Sequence, residues 1–100
     1  MSAPSTCRAR RTIHILIEGR VQGVGFRAWV DLTARGLGLD GWVRNRRDGG
    51  VEAVLSGSPE TIDAMVMRCR SGPPGARVDR LVLIDEGLAC DAGFEVKPTA

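Results

Sequence analysis

Hydrophobic residues in this chain change their spacing from every second residue to every third or fourth residue, and then back, twice over. Residues 12–18 alternate as in a half-buried strand, with three isoleucines on one face. The segments 26–35 and 59–71 instead carry apolar side chains at helical spacing. Because each change of period marks a new element, the sequence predicts strands alternating with helices around one core.

Turn and capping residues separate these segments and give the order of the elements. Ser58 followed by Pro59 is typical of a helix start, and Asp48-Gly49 is typical of a hairpin turn. The predicted strands are residues 12–18, 41–46, 51–56, 76–85 and 94–97, and the predicted helices are 26–35 and 59–71. This order is that of α+β ferredoxin-like domains. We therefore predict a βαββαβ sandwich, in which an antiparallel sheet carries two helices on one face and a short extra strand at the C-terminus.

The length and composition fit one domain. The chain has 100 residues, of which 43% are hydrophobic and 26% charged, and these suffice for one modest core. We predict a flexible N-terminal tail over residues 1–11, a folded domain over 12–97 and a C-terminal tail over 98–100.

Cysteine usage and hydropathy predict a cytoplasmic protein. Cys7, Cys69 and Cys90 are odd in number and widely spaced, so we expect reduced thiols and no disulfide framework. No apolar run approaches the roughly 18 residues that a membrane span needs. The polar and basic start of the chain lacks the apolar region of a secretory signal.

The charge and the aromatic residues give no indication of a nucleic-acid partner. A formal net charge of +2 is mild. Sheets of this kind that bind RNA stack bases on exposed aromatic side chains. The aromatic residues here are Phe26, Trp29, Trp42 and Phe94, and no predicted strand shows an RNA-binding pattern. We therefore expect no nucleic-acid partner.

The segment from Gly19 to Gly25 holds three glycines in seven residues and leads from a strand into a helix. Unpaired N–H groups and the positive end of the dipole make such a helix start attractive to anions. Arg27 lies in the first helical turn and can reach the same point, which would complete a receptor for phosphate. These features are also compatible with an ordinary turn. The pattern is neither a Walker loop nor a dinucleotide fingerprint.

Two segments carry a resemblance to a known family. The sequence EGRVQGVGFR at residues 18–27 closely resembles the first signature of the acylphosphatase family. The sequence GWVRN at residues 41–45, followed by a turn and GVE at 50–52, resembles the second signature. The order and spacing of the two signatures also match, and the resemblance extends over residues 12–96.

The resemblance implies an enzyme that hydrolyses acyl phosphates to a carboxylate and inorganic phosphate without metal ion or organic cofactor. For an enzyme of this size we expect a monomer. By the same resemblance, the family's catalytic arginine corresponds to Arg27 and its catalytic asparagine to Asn45. The implied substrate-binding residues form a phosphate-cradling loop: Val21, Gln22, Gly23, Val24, Gly25 and Phe26. The sequence is compatible with the absence of a metal, since it has one His and no cluster at metal-ligand spacing.

Strand parity adds a geometric prediction. The alternation that points Val43 towards the helices points Asn45 the same way. Arg27 begins the first helix on that side, so both side chains should face one site. His14 is predicted on the opposite sheet surface. The arginines at positions 44, 46 and 47 are predicted to form a solvated basic edge, or alternatively to attract an anionic substrate.

Two other functions remain open on the sequence. One is a carbamoyl-phosphate-handling unit, as in the N-terminal part of hydrogenase-maturation carbamoyltransferases. Those are long multidomain proteins, whereas this chain ends at Ala100 without zinc-finger cysteines after the domain, so we expect otherwise. The other is a retained fold with lost activity, against which the presence of Arg27 and Asn45 argues.

Overall fold

The computed structural model describes residues 10–100. Residues 1–9, which include Cys7 and most of the predicted N-terminal tail, lie outside the described residues. The strands are β1 (Arg11–Arg20), β2 (Asp40–Asn45), β3 (Val51–Gly57), β4 (Arg77–Glu86) and β5 (Phe94–Val96), and the helices are α1 (Phe26–Gly36) and α2 (Pro59–Ser71). The sheet order β4-β1-β3-β2-β5, with both helices packed on one side, confirms the predicted ferredoxin-like α+β fold.

The direction of the last strand makes the sheet mixed. The four long strands pair antiparallel, as predicted, but β5 runs parallel to β2 with Phe94 beside Gly41. The topology explains this direction. Strand β4 ends at the end of the sheet where β2 begins. A chain that crosses from there to the outer side of β2 must then run in the same direction as β2.

Pairing extends the first strand beyond its predicted limits. Arg11 lies opposite Gly57 in β3, and Arg20 lies opposite Arg77 in β4, so β1 contains ten residues. At the other end of the chain, the Ala100 N–H donates to the Asn45 carbonyl at 3.0 Å. The predicted division into residues 1–11, 12–97 and 98–100 stays a prediction.

Strand β4 forms one edge of the sheet, and none of its ten residues is buried. Its pairing with β1 is interrupted by register shifts at His14/Ile15 and at Glu18/Gly19. Such irregularities increase the local twist of a strand.

The core lies between the helices and one face of the sheet. The isoleucines of β1 that the alternation predicted to share a face are all buried there: Ile13, Ile15 and Ile17. Each helix adds an apolar stripe, α1 with Phe26, Val30 and Ala34 and α2 with Ile62, Met65 and Cys69. Burial raises the pKa of the Cys69 thiol to about 12, so it packs as a small uncharged group.

Neither helix within residues 10–100 is long and apolar enough to cross a membrane.

Candidate active site

The loop between β1 and α1 owes its shape to two glycines. Gly23 and Gly25 both have φ of 76°, a left-handed conformation that L side chains rarely adopt. A Cβ on either would meet nothing within 4 Å, so the requirement is conformational and not steric. Left-handed residues within such a turn direct successive N–H groups towards one point.

The start of α1 adds further donors. Gly25 is the N-cap, and its carbonyl accepts the first helical hydrogen bond from the Trp29 N–H at 3.0 Å. The amides of residues 26–28 precede that bond, so the helix offers them no acceptor. Since the first turn also holds no acidic residue, the positive end of the helix dipole is not offset locally.

A cavity of about 410 Å³ lies in front of this helix start. It is lined by Val21, Gln22, Gly23, Gly25, Phe26, Arg27, Ala28, Asp31, Asn45 and Val96. The structure thus brings Arg27 and Asn45 to one cavity, together with all the predicted loop residues except Val24. Val24 packs against the core instead.

Three lining residues were missed by sequence reasoning: Ala28, Asp31 and Val96. Asp31 follows Arg27 by four residues, and this helical spacing could have identified it as a neighbour on the same face. Val96 belongs to β5, whose place beside β2 no local pattern indicates.

Gln22 ties the loop to the β2–β3 hairpin. Its side-chain Nε2 donates to the Arg46 carbonyl at 2.7 Å and to the Gly50 carbonyl at 2.9 Å. An amide nitrogen has two hydrogens, and both are engaged by these bonds. The Gln22 side chain therefore fixes the loop relative to Asn45, and its backbone N–H is the group that a ligand could use.

The Asn45 backbone is held on two sides. On one side Asn45 pairs with Val51 of β3. On the other side its carbonyl accepts a hydrogen bond from the Ala100 N–H. The hairpin beyond it is closed by Asp48, which accepts the Gly50 N–H at 3.0 Å and pairs with Arg46. These two contacts, the amide first, lower the pKa of Asp48.

Behind Asn45, on the face of the sheet that the helices leave open, lies the buried carboxylate of Glu52. It accepts a hydrogen bond from Arg44 Nε at 2.8 Å, lies 3.6 Å from Arg46 Nη1 and is bonded to His14. Burial raises the pKa of Glu52, but the hydrogen bonds from Arg44 and His14 outweigh it, so the net pKa is lowered.

This ion cluster bears on two sequence predictions. His14 lies on the open sheet surface, as predicted, although no sequence pattern indicated its partner Glu52. Arg44 and Arg46 pair with carboxylates, which favours the structural reading of the basic edge over attraction of substrate.

We expect acid to destabilise the fold partly through Glu52. Because its pKa is lower when folded than when unfolded, its contribution is present above the unfolded pKa and is lost as the pH falls through the folded value. Urea unfolding between pH 7 and pH 3 should therefore show a shallower pH dependence for Glu52→Gln than for the parent. At pH 7 the variant should lose about 1–3 kcal/mol.

Glu18→Gln is a matched control for this experiment. Glu18 also lies on the open face and pairs with Arg80 at 2.8 Å, but both groups are well exposed. Its loss should cost less than about 1 kcal/mol. Parallel pH profiles for the parent and Glu52→Gln would contradict the role given to Glu52.

Trp42 lies on the same open face beneath two cations. The Arg44 guanidinium lies 4.8 Å and the Lys97 ammonium 5.0 Å from the ring centroid, and His14 packs edge-on at 5.7 Å. A ring engaged in this way is a poor platform for stacked bases. The absence of a nucleic-acid partner stays a prediction.

A second cavity of about 390 Å³ lies beside residues 89–95 and contains none of the predicted site residues.

Among residues 10–100, no group of three or more His, Cys, Asp or Glu side chains is placed to hold a metal ion. Metal independence is still a prediction.

Comparison with known proteins agrees with the resemblance that the two signature segments carry. The family model "Acylphosphatase" matches residues 13–96, which include both signature segments. A protein of Bradyrhizobium diazoefficiens named acylphosphatase is 56% identical over 71 residues, covering 71% of this chain and 72% of its own.

Solved structures extend the comparison. An acylphosphatase from Coxiella burnetii superimposes with a TM-score of 0.86 at 33% identity, covering 95% of this chain and 100% of its own. The crystal structure of full-length HypF in the phosphate- and nucleotide-bound form gives a TM-score of 0.80 at 27% identity. That match covers 90% of this chain but 12% of HypF.

Proposed function

Because the chain belongs to the acylphosphatase family, we propose that Arg27 and the loop of residues 21–26 bind the phosphoryl group of an acyl phosphate, and that Asn45 orients the attacking water. The observation that supports this assignment most strongly is the shared cavity. Arg27, Asn45 and five of the six loop residues line it together, although the two signatures are separated in sequence by most of α1.

The loop and Arg27 supply the charge complement that a phosphoryl dianion needs. The amides of the loop and of the first helical turn converge as donors, and the guanidinium adds a planar pair of charged donors. The loop amides are held in place by the backbone and by the Gln22 contacts before the substrate arrives, so these donors need little reorganisation when charge shifts during phosphoryl transfer. Because Gln22 fixes the loop to the hairpin, the donors and Asn45 keep a constant separation.

Asn45 offers a donor and an acceptor on one short side chain. In our proposal it holds a water in line with the bond to be broken. The water oxygen forms a bond to phosphorus while the bond from phosphorus to the acyl oxygen breaks, and that electron pair leaves on the carboxylate. The two protons of the water stay on oxygens of the inorganic phosphate that is formed. A carboxylate is a stable leaving group, so positioning and electrostatic stabilisation account for most of the catalysis.

We also propose that the enzyme works in the cytoplasm, as a monomer and without a metal ion or cofactor. The guanidinium and the amide donors provide the positive charge that a metal would otherwise bring. Every group assigned a role lies on this one chain. Cys69 and Cys90 are free thiols, which fits a reducing compartment.

The activity is tested by following hydrolysis of benzoyl phosphate by the purified protein with a chelator present. We expect release of benzoate and phosphate at a rate that the chelator does not change. Carbamoyl phosphate, run in parallel, tests the alternative of a carbamoyl-phosphate-handling unit, which would favour it over benzoyl phosphate. A folded protein that hydrolyses neither compound would refute the proposal, and activity lost with the chelator would refute its metal independence.

A further inference from the structure

The cavity is larger than a phosphoryl group, and the remainder of its wall has its own chemistry. A volume of about 410 Å³ falls within the range that holds a small organic molecule. In an acyl phosphate the acyl group is covalently joined to the phosphoryl group, so it must lie in or against the same cavity. The wall beyond the phosphoryl-binding groups and Asn45 consists of Ala28, Asp31 and Val96.

Asp31 contributes the one carboxylate among the described residues that line this cavity. Its Oδ1 accepts a hydrogen bond from Arg35 Nε at 2.7 Å, but Arg35 does not line the cavity. The Arg35 side chain is 58% exposed, against 24% for Asp31, and its Nη2 donates to the Phe94 carbonyl at 2.6 Å. The ion pair thus presents its negative end to the cavity and its positive end to solvent.

The two charged side chains of the cavity wall, Arg27 and Asp31, are not equally free to interact with the acyl group. Arg27, the cation of the wall, is engaged by the phosphoryl group in the proposed complex. A negative charge on the acyl group would therefore meet Asp31 without a free cation to compensate. Coulomb repulsion between like charges is substantial in a site that is partly shielded from water.

We propose that Asp31 is a specificity-determining residue, which makes the enzyme prefer acyl phosphates whose acyl group is neutral or positively charged over those with a second carboxylate. The inference rests on the proposed function, since it assigns the phosphoryl group to Arg27 and the loop. It names a substrate class that the two signatures do not encode, because Asp31 lies outside both of them.

The test compares two substrates of matched size, 4-carbamoylbenzoyl phosphate and 4-carboxybenzoyl phosphate. The ratio of their kcat/KM values, neutral over anionic, measures the penalty for a second negative charge. We expect a ratio of about 10 for the parent, as Coulomb's law gives for like charges in such surroundings. In Asp31→Asn the ratio should fall to about 2–3, since the substitution removes the charge and keeps the shape.

A second variant should move the ratio the other way. Arg35→Met removes the counter-charge of Asp31 from the solvent side, so the penalty should rise above that of the parent. Asp63→Asn is the matched control: Asp63 is a helical carboxylate paired with Arg11 at 3.1 Å and lies away from the cavity. Its ratio should equal that of the parent.

Equal ratios in the parent and Asp31→Asn, with both proteins folded by circular dichroism, would overturn the inference. So would a ratio that does not rise in Arg35→Met. The neutral substrate separates this failure from that of the proposed function. If the parent hydrolyses 4-carbamoylbenzoyl phosphate, the proposed function holds and the inference about Asp31 alone is at stake. If it hydrolyses neither substrate, the proposed function itself fails.

Discussion

Arg27→Ala is expected to abolish measurable hydrolysis of benzoyl phosphate, with a fall in kcat/KM of at least about 100- to 1000-fold, or about 3–4 kcal/mol. The substitution removes the cation of the cavity wall, so substrate binding and transition-state stabilisation are both lost. We therefore expect a higher KM together with a lower kcat. Steady-state kinetics over a wide substrate range separates the two effects.

Arg27→Lys makes this prediction sharper. Lysine keeps the positive charge but cannot offer two parallel donors to a phosphoryl group. Its kcat/KM should lie between those of the parent and Arg27→Ala. The control is Arg68→Ala, since Arg68 is exposed on α2 and contributes nothing to the cavity. If Arg27→Ala retained more than about a tenth of the parental kcat/KM, the catalytic role of Arg27 would be untenable.

Asn45→Ala should lower kcat by about 100-fold while KM stays within about threefold of the parental value, because the interaction it removes acts mainly in the transition state. A water that is no longer oriented attacks less often, whereas the loop and Arg27 still bind the phosphoryl group. Inorganic phosphate should accordingly inhibit the variant with nearly the parental inhibition constant. Inhibition and kcat are measured on the same protein preparation.

Structural damage is distinguished from loss of water positioning by a stability measurement. The Asn45 contacts that hold the hairpin are backbone contacts, which alanine retains. We therefore expect urea unfolding of Asn45→Ala close to that of the parent. A stable variant with normal kcat would contradict the role of Asn45, as would a KM that rises in step with the fall in kcat.

The sequence predicted the parts of this site that depend on local patterns. Alternation in β1 and the stripes of both helices identified the core face, and parity along β2 placed Asn45 on the side of Arg27. These predictions succeed because period and parity are properties of neighbouring residues. The glycine-rich loop was likewise identified from its composition, since glycine adopts the backbone conformations that a tight turn requires.

The parts that the sequence did not predict depend on the meeting of distant segments. Gln22 bonds to carbonyls 24 and 28 residues away, and no pattern around Gln22 indicates them. Val96 reaches the cavity because β5 crosses to the outer side of β2. Glu52 was missed for a related reason: a buried carboxylate near the start of β3 is stable only because β1 and β2 bring His14 and Arg44 to it.

The exposed strand β4 has a consequence for how copies of this protein behave in a crowded solution. An unpaired edge is a template on which another chain can add a strand, and Leu83 and Ile84 leave about half of their surface open there. The same strand carries five charged residues: Arg77, Asp79, Arg80, Asp85 and Glu86. Together with the two irregularities in its pairing with β1, these charges oppose flat, edge-to-edge stacking. These features protect the outer edge of the fold against the growth of aggregates.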